Sequence, residues 1–241
     1  MDPCLLAFDT STEQLAVGLA SAAGTVCRHE AGGAQASARL IPLLQSLLAE
    51  AGIGFKQLDA IAFGAGPGAF TGLRTACAVA QGLGFGAGKP LIAVDSLLIV
   101  AEDARQRFAE LAGDGLHWVA VDARMNEVYA AAYRWSDPRW QAAKPPRLYT
   151  LDALAQCWRD EPPARVAGNA VTAFAPWLPF GAAFCVAEVA DRAGALLRLA
   201  RQAWRDGALL DPAEALPLYL RDKVALTTAE RAAAAGAGRR P

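Results

Sequence analysis

Residues 60–74 read AIAFGAGPGAFTGLR, an apolar run that passes directly into a loop of glycines. Residues 60–63 have the composition of a buried strand, and residues 71–88 that of a helix of small side chains. Glycines between a strand and a helix allow close backbone approach and leave amides at the helix N-terminus, which is a generic anion site. The same glycines also suit a tight turn beside closely packed helices. Spacing alone leaves both interpretations open.

Two common phosphate-loop patterns fail in this segment. The GxGxxG fingerprint fails because Ala69 stands where the third glycine belongs. A Walker A motif at Lys89 fails because Leu83 replaces its first glycine and Pro90 follows the lysine. The sequence therefore excludes a P-loop and a dinucleotide-binding βαβ unit.

Strand and helix patterns alternate on both sides of the glycine loop. Residues 5–8 and 15–20 are apolar runs typical of strands, and a polar turn separates them. Apolar residues recur at helical spacing over 40–51, which predicts a helix over 37–51 with Ser37 as its N-cap. The remaining expected elements are strands at 91–94, 116–121, 127–133 and 165–167, helices at 96–112, 152–159 and 188–205, and a basic, proline-bearing loop at 140–147.

The start of the chain has a counterpart halfway along it. LLAFDTSTEQLAVGLA begins at Leu5 and HWVAVDARMNEVYAAAY at His117, and each combines an apolar strand ending in aspartate, a polar turn and a second strand. The two aspartates, Asp9 and Asp122, lie 113 residues apart. The pattern indicates two similar lobes that arose by internal duplication. Two unrelated hairpins would give the same pattern.

Composition narrows the class of protein. The chain has 241 residues, of which 54% are hydrophobic, so it is long enough for one large or two small domains with a buried core. Its formal net charge of -1 argues against a protein that grips nucleic acid by itself. Five cysteines without a CxxC motif favour a reducing cytoplasm over a disulfide framework or a zinc knuckle.

Neither a targeting signal nor a membrane span is expected, which also favours a cytoplasmic location. The first nine residues lack a basic region of the kind that begins a signal peptide. Residues 166–187 carry no charge, but Asn169, Pro176 and Pro179 would interrupt a spanning helix.

Few side chains are available for acid–base or metal chemistry. The two histidines, His29 and His117, are too far apart for an HxxxH or HExxH metal site. His29 is expected at the surface, and His117 is expected to be structural. Asp9, Thr10 and Ser11 could hold a metal-bound water or contact phosphate oxygens, or they could form a plain hairpin turn that bonds its own backbone.

Taken together, these segments resemble the TsaB (YeaZ) family of bacteria. The most specific stretch is GPGAFTGLR at residues 66–74, and VDSLLIVA, VDARMNEVYAAAY and PLYLRDKVA also match. The resemblance implies an α/β actin-like ATPase (ASKHA) fold with two RNase H-like lobes, each a mixed sheet flanked by helices. The implied divisions are an N-terminal lobe at 1–103, a C-terminal lobe at 104–215, a segment at 216–230 that returns to the first lobe, and a disordered tail at 231–241.

The resemblance also implies a function. Family members take part in making N6-threonylcarbamoyladenosine in tRNA, where a larger homologue, TsaD, transfers the threonylcarbamoyl group and carries an HxxxH metal site. This chain has no such pair, so it resembles a non-catalytic dimerisation or scaffold subunit that binds TsaD. A small ATPase, TsaE, completes the complex, and tRNA is bound only through it. No cofactor, metal or membrane contact is implied, and a homodimer is an option when the partner is absent.

The implied functional residues fall into two sets. A vestigial nucleotide-type cleft would use Asp9, Thr10, Ser11, Gly66, Gly68 and Asp122. The helices over 37–51 and 71–88 would pack on the equivalent pair of TsaD through Leu40, Leu44, Leu47, Ala76, Ala80 and Leu83. The same apolar positions would also suit packing on the lobe's own sheet.

One departure and two alternatives accompany this interpretation. Many family members have a histidine near the position of Ala36, and this chain does not. The main alternative is an independent ATP-dependent phosphotransferase of the actin-like superfamily, with Asp9, Thr10 and the glycine loop on phosphates and Asp122 as a metal or base carboxylate. A peptidase is disfavoured because no histidine pair is present.

Overall fold

The computed structural model describes residues 2–136 and 138–221, which form two five-stranded mixed sheets flanked by helices. The strands are β1 (Leu5–Asp9), β2 (Gln14–Ser21), β3 (Gly24–Ala31), β4 (Ala60–Gly66), β5 (Leu91–Asp95), β6 (Gly115–Asp122), β7 (Glu127–Ser136), β8 (Arg139–Thr150), β9 (Arg165–Ala167) and β10 (Phe184–Val186). The helices are α1 (Ala36–Glu50), α2 (Phe70–Ala87), α3 (Ser96–Arg107), α4 (Ala109–Ala112), α5 (Leu151–Asp160), α6 (Ala170–Ala173) and α7 (Arg192–Arg205).

The two sheets have the same topology. In the first, an antiparallel meander of β1, β2 and β3 is extended by β4 and β5, which run parallel to β1. In the second, β6, β7 and β8 form the meander, and β9 and β10 run parallel to β6. The predicted duplication is therefore confirmed in topology, with Asp9 and Asp122 at the ends of the equivalent strands β1 and β6.

Each sheet receives a helix from the other half of the sequence. Helix α7 packs on β1 and β2 of the first sheet, where a Cβ atom on Gly18 would lie 2.7 Å from Leu197 Cδ1. Helix α3 packs on β6 and β7 of the second sheet, and the two helices also pack on each other. The predicted C-terminal lobe at 104–215 thus contains a helix that covers the sheet of the other lobe.

Two buried carboxylates on α3 hold α3 and α7 in their exchanged positions, each on the sheet of the other lobe. Glu102 accepts hydrogen bonds from Arg198 Nε of α7 at 3.0 Å and from Trp140 Nε1 of β8 at 2.9 Å. Asp103 accepts the backbone amide of Asp191, just before α7, at 2.8 Å. Because a buried carboxylate is costly without partners, these bonds fix α7 in position relative to α3.

Several predicted boundaries are wrong. Residues 140–147 are not a loop but part of β8, which lies at the edge of its sheet, where prolines are tolerated because one row of amides needs no partner. Strands β3 and β10 were not predicted at all. The expected helix over 96–112 is divided, since α3 ends at Arg107 and α4 begins at Ala109.

The starts of two helices also differ from the prediction. Helix α1 begins at Ala36, so Ser37 lies inside it and does not cap it. Helix α7 begins at Arg192 and not at Glu188, and the Asp191 side chain caps it by accepting the Gly194 amide at 2.9 Å. The predicted tail at 231–241 and residues 222–230 of the predicted C-terminal segment lie outside the described residues.

Among residues 2–136 and 138–221, no helix combines the length and the apolar character that crossing a membrane requires. The uncharged stretch at 166–187 consists of β9, the short helix α6, turns and β10.

The two histidines lie in different places. His29 lies at the surface, as predicted, and its Nε2 accepts the Ala193 amide at the start of α7 at 3.2 Å. His117 is buried in the second lobe, with its ring 5.0 Å from Trp140 and its Nε2 3.1 Å from Arg165 Nη1. The structural role predicted for His117 agrees with this position.

His117 should make stability depend on pH. Burial, aided by Arg165 and Arg105, lowers the pKa of its imidazole to about 4, so the folded protein keeps the ring neutral at neutral pH. The unfolded chain takes up that proton near pH 6.5. Unfolding free energy should therefore fall as pH drops from about 6.5 to about 4, by about 3 kcal/mol from this group.

His117→Gln keeps an acceptor for Arg165 and cannot titrate, so urea unfolding of this variant should show a flatter pH profile in that window. A profile as steep as that of the parent chain would contradict the assignment.

Candidate functional site: the cleft between the lobes

A cleft of about 720 Å³ opens between the two lobes. One wall consists of the turn between β1 and β2 and the start of α2, and the opposite wall of the turn between β6 and β7 together with Asn169. Arg192 also lines the cleft, and residues 218–221 form part of its rim. The cleft is therefore built from both halves of the duplicated fold.

The structure brings three of the six predicted cleft residues to its surface. Ser11 and Gly68 line the wall of the first lobe, and Asp122 lines the wall of the second. Asp9, Thr10 and Gly66 are buried behind the first-lobe wall. The assignment of these residues to a nucleotide-type site stays a prediction.

Asp9 is buried as a charged carboxylate, and its partners lie inside the protein. It is 0% exposed at the end of β1, and its Oδ1 accepts the Ser11 amide at 2.6 Å. Its Oδ2 accepts Ser96 Oγ and Arg192 Nη2, both at 3.2 Å. Burial alone would raise the pKa of Asp9, but the Arg192 guanidinium and the hydrogen bonds from Ser11 and Arg192 outweigh it and hold that pKa below its ordinary value. Asp9 is therefore a carboxylate with an internal counterion.

Arg192 connects several elements around that carboxylate. It is 5% exposed at the first position of α7, and its Nη2 also donates to Ser11 Oγ at 2.9 Å and to the Ser96 carbonyl at 3.3 Å. Its Nε has no hydrogen-bond partner among the described residues. Sequence reasoning missed Arg192, since 183 residues separate it from Asp9. The sequence offered one signal for this residue: Arg192 directly precedes the apolar helical stretch at 193–197, which consists of small residues and leucines.

The glycine loop serves close packing. A Cβ atom on Gly72 would lie 1.8 Å from the Thr10 carbonyl oxygen, and one on Gly68 would lie 2.6 Å from the Ser11 carbonyl oxygen. Ala69 at the start of α2 donates its amide to that Ser11 carbonyl at 2.8 Å, and Thr10 Oγ1 donates to the Gly72 carbonyl at 2.6 Å. Of the two interpretations left open by the sequence, this geometry favours the packing one.

A nucleotide with its metal ion, the group that the fold class implies, does not fit these residues. Both Asp9 oxygens have partners, and the glycine loop contacts the β1–β2 turn so closely at Gly68 and Gly72 that no space for a phosphate is left between them. Within the part of the chain that the structure describes, no group of three or more His, Cys, Asp or Glu side chains is arranged to hold a metal ion.

Gly72 should not tolerate a side chain. Gly72→Ala places a methyl group 1.8 Å from a backbone oxygen, so the helix must move away from the turn, and we expect a loss of roughly 3 kcal/mol or more in urea unfolding. Gly82→Ala is the matched control, because nothing lies within 4 Å of its Cβ position on the same helix. It should stabilise the protein by up to about 1 kcal/mol. Equal effects of the two substitutions would refute the packing role.

The Asp9–Arg192 pair should behave as one unit. Arg192→Leu leaves a buried carboxylate without its counterion and should cost about 3–5 kcal/mol of unfolding free energy. Adding Asp9→Asn should restore much of that loss, because the double variant no longer buries an unpaired charge. Chemical unfolding of both single variants and the double variant tests this, and additive losses would contradict direct pairing.

Similarity to known proteins extends over most of the chain. The family model for TsaD, tRNA N6-adenosine threonylcarbamoyltransferase, matches residues 30–177. The Escherichia coli (strain K12) protein named tRNA threonylcarbamoyladenosine biosynthesis protein TsaB is 31% identical, covering 92% of this chain and 96% of that relative. The Haemophilus influenzae protein of the same name is 42% identical, but the alignment spans 52% of this chain and 51% of that relative.

A solved structure agrees with the sequence relatives. YeaZ from Pseudomonas aeruginosa is 35% identical and superposes with a TM-score of 0.81, covering 90% of this chain and 100% of that one. The predicted actin-like fold, with two mixed sheets flanked by helices, is thereby confirmed. Because sequence and structure match over nearly the whole length, the chain belongs to the TsaB (YeaZ) family.

Proposed function

We propose that this chain is a non-catalytic dimerisation subunit of the machinery that makes N6-threonylcarbamoyladenosine in tRNA, and that it pairs with a TsaD-type catalytic homologue. Membership of the TsaB family supports a role in this pathway. The match of residues 30–177 to the TsaD family model supports a partner of the same fold, because homologous domains commonly pair through equivalent surfaces.

The observation that carries the non-catalytic part is the chemistry of the cleft. Its buried carboxylate, Asp9, is neutralised by Arg192 and has no free oxygen to offer a substrate. Neither histidine lines the cleft, since His29 contacts the start of α7 and His117 is buried beside Arg165. The cleft is also lined by the carboxylates of Glu13, Asp122 and Glu188, but none of its lining residues is a histidine that could exchange a proton with them. The internal pairing of Asp9 and this lining support a binding role for the chain and not a catalytic one.

The apolar residues predicted to face the partner lie mostly inside this chain. Five of the six are at most 2% exposed in the core of the first lobe: Leu40, Leu44, Leu47, Ala76 and Ala80. Leu83 is partly buried against the same core. A partner cannot contact the buried five without displacing them, and a charge at Leu44 would test folding and not docking.

We assign docking to the outward face of the same two helices. Ile41 on α1 and Phe85 on α2 are 42% and 62% exposed, although both are large and apolar. On the same face of α2 as Phe85 lie the exposed small residues Ala78 and Gly82, which precede it by seven and three positions. Small residues let a second helix approach closely, and exposed apolar side chains around them gain from being covered.

The other members of the complex follow from the family interpretation. The formal net charge of -1 provides no basic surplus, so we assign tRNA binding to the assembled complex, with a TsaE-type ATPase as its third member. A face that accepts a homologue of the same fold can also accept a second copy of this chain about a two-fold axis. We therefore expect a self-dimer when the partner is absent.

The pairing can be tested directly. The purified chain and the TsaD-type homologue of the same organism are mixed and analysed by size-exclusion chromatography with light scattering. The expected result is the mass of a heterodimer, with loss of any self-dimer peak. Two unchanged separate peaks would overturn the proposal.

Ala78→Glu should weaken the complex by at least about tenfold, because a carboxylate at the centre of an apolar helix contact loses water without gaining a partner. The matched control is Ala153→Glu on α5 of the second lobe, which is also an exposed alanine on a helix. Titration calorimetry measures both affinities, and thermal unfolding checks that both variants are folded. Equal affinities would rule out the assigned face.

A further inference from the structure

The segment at residues 218–221 runs from the first lobe to the second across the mouth of the cleft, and we name it the strap. At its first-lobe end, Leu218 donates its amide to the Ala65 carbonyl of β4 at 2.7 Å. The next residue, Tyr219, places its ring 5.2 Å from that of Phe70 at the start of α2. The strap is therefore attached to the glycine-loop side of the cleft.

The other end of the strap holds the second lobe. Arg221 Nη2 lies 2.7 Å from Glu127 Oε2 and donates to the Ala123 carbonyl at 2.9 Å. Arg221 Nη1 lies 3.0 Å from Met125 Sδ. The Arg221 and Glu127 side chains are largely buried, so water screens this pair less than it screens the surface pairs. One guanidinium thus contacts the β6–β7 turn at several points.

That turn has an unfavourable backbone. Arg124, Met125 and Asn126 have φ values of 64°, 57° and 57°, which places three consecutive non-glycine residues in the left-handed region. This conformation costs L-residues roughly 1 kcal/mol or more each. Such a run persists when surrounding contacts impose it. In the described structure, Arg221 supplies contacts from outside the hairpin to the residues on both sides of Arg124.

We propose that the strap is a latch between the lobes, and that Arg221 is the group that fastens it. While Arg221 binds the β6–β7 turn, residues 124–126 keep their left-handed backbone conformation and the strap joins the two walls of the cleft. When Arg221 releases the turn, the turn relaxes, the strap leaves β4 and the mouth of the cleft opens, while α3 and α7 still hold the two lobes together. In this released state the cleft is open and the residues of its walls are accessible. This device does not depend on the identity of any partner.

Hydrogen–deuterium exchange of the full chain tests the latch at defined amides. Ala123 donates to the Glu127 carbonyl at 2.9 Å, Glu127 donates to the Arg124 carbonyl at 3.1 Å, and Leu218 reports on the strap. In Arg221→Ala these amides should exchange at least about tenfold faster, as expected for loss of charge-assisted hydrogen bonds. Glu127→Gln, which keeps the side-chain shape, should give the same direction of change and serves if Arg221→Ala does not fold.

Two further variants separate a latch from general loosening. Arg28→Ala removes an ion pair of similar length, 2.8 Å to Glu50, within the first lobe, and should leave these amides unchanged. Asn126→Gly added to Arg221→Ala removes part of the strain. It should restore protection at Ala123 and Glu127 but not at Leu218.

Unchanged exchange at the turn, or at Leu218, in Arg221→Ala would overturn the proposal.

Discussion

The contact between Arg192 and Asp9 is the constraint on which the centre of the molecule depends. It connects the end of β1, the turn after it and the start of α3 to the first residue of α7. Because a buried carboxylate is tolerated only with its counterion, α7 cannot move away from the first sheet without exposing or stranding a charge. The same contact, with the hydrogen bonds from Ser11 and Ser96, gives both oxygens of Asp9 partners inside the protein. One ion pair therefore positions α7 on the first sheet.

The regular elements with clear periodicity could be predicted from the sequence, and the exceptions have physical causes. Strand β3 was missed because nearly all of its residues are exposed, so it lacks the alternation of buried and exposed positions that marks a strand. Strand β8 was taken for a loop because of its basic residues and its two adjacent prolines, Pro145 and Pro146. Both are edge strands, which are held on one side by backbone bonds and need little from their side chains.

Site residues could be predicted from the sequence where a local motif marks them, but not where their position depends on tertiary packing. Asp9 could be found because an aspartate that ends an apolar strand is a local signal. Arg192 could not, because its pairing with Asp9 arises from folding together two distant parts of the chain. Hydrophobic periodicity predicted the helices α1 and α2, but it could not tell a face that packs on the chain's own sheet from a face that binds a partner, because both are apolar. The residues expected at the partner interface are mostly in the core. The outward face, with Ala78 and Gly82, carries small residues that leave no hydrophobic pattern.

The exchange of α3 and α7 sets an order on how the chain can be assembled during synthesis. Leu5, Ala7, Ala62 and Ile92 form one face of the first sheet, and the side chains that cover this face include Leu196 and Leu197 of α7. All five strands of that sheet leave the ribosome about a hundred residues before its cover does. The first half of the chain therefore emerges with an apolar surface uncovered, and this surface stays open until α7 is made and packs on the first sheet.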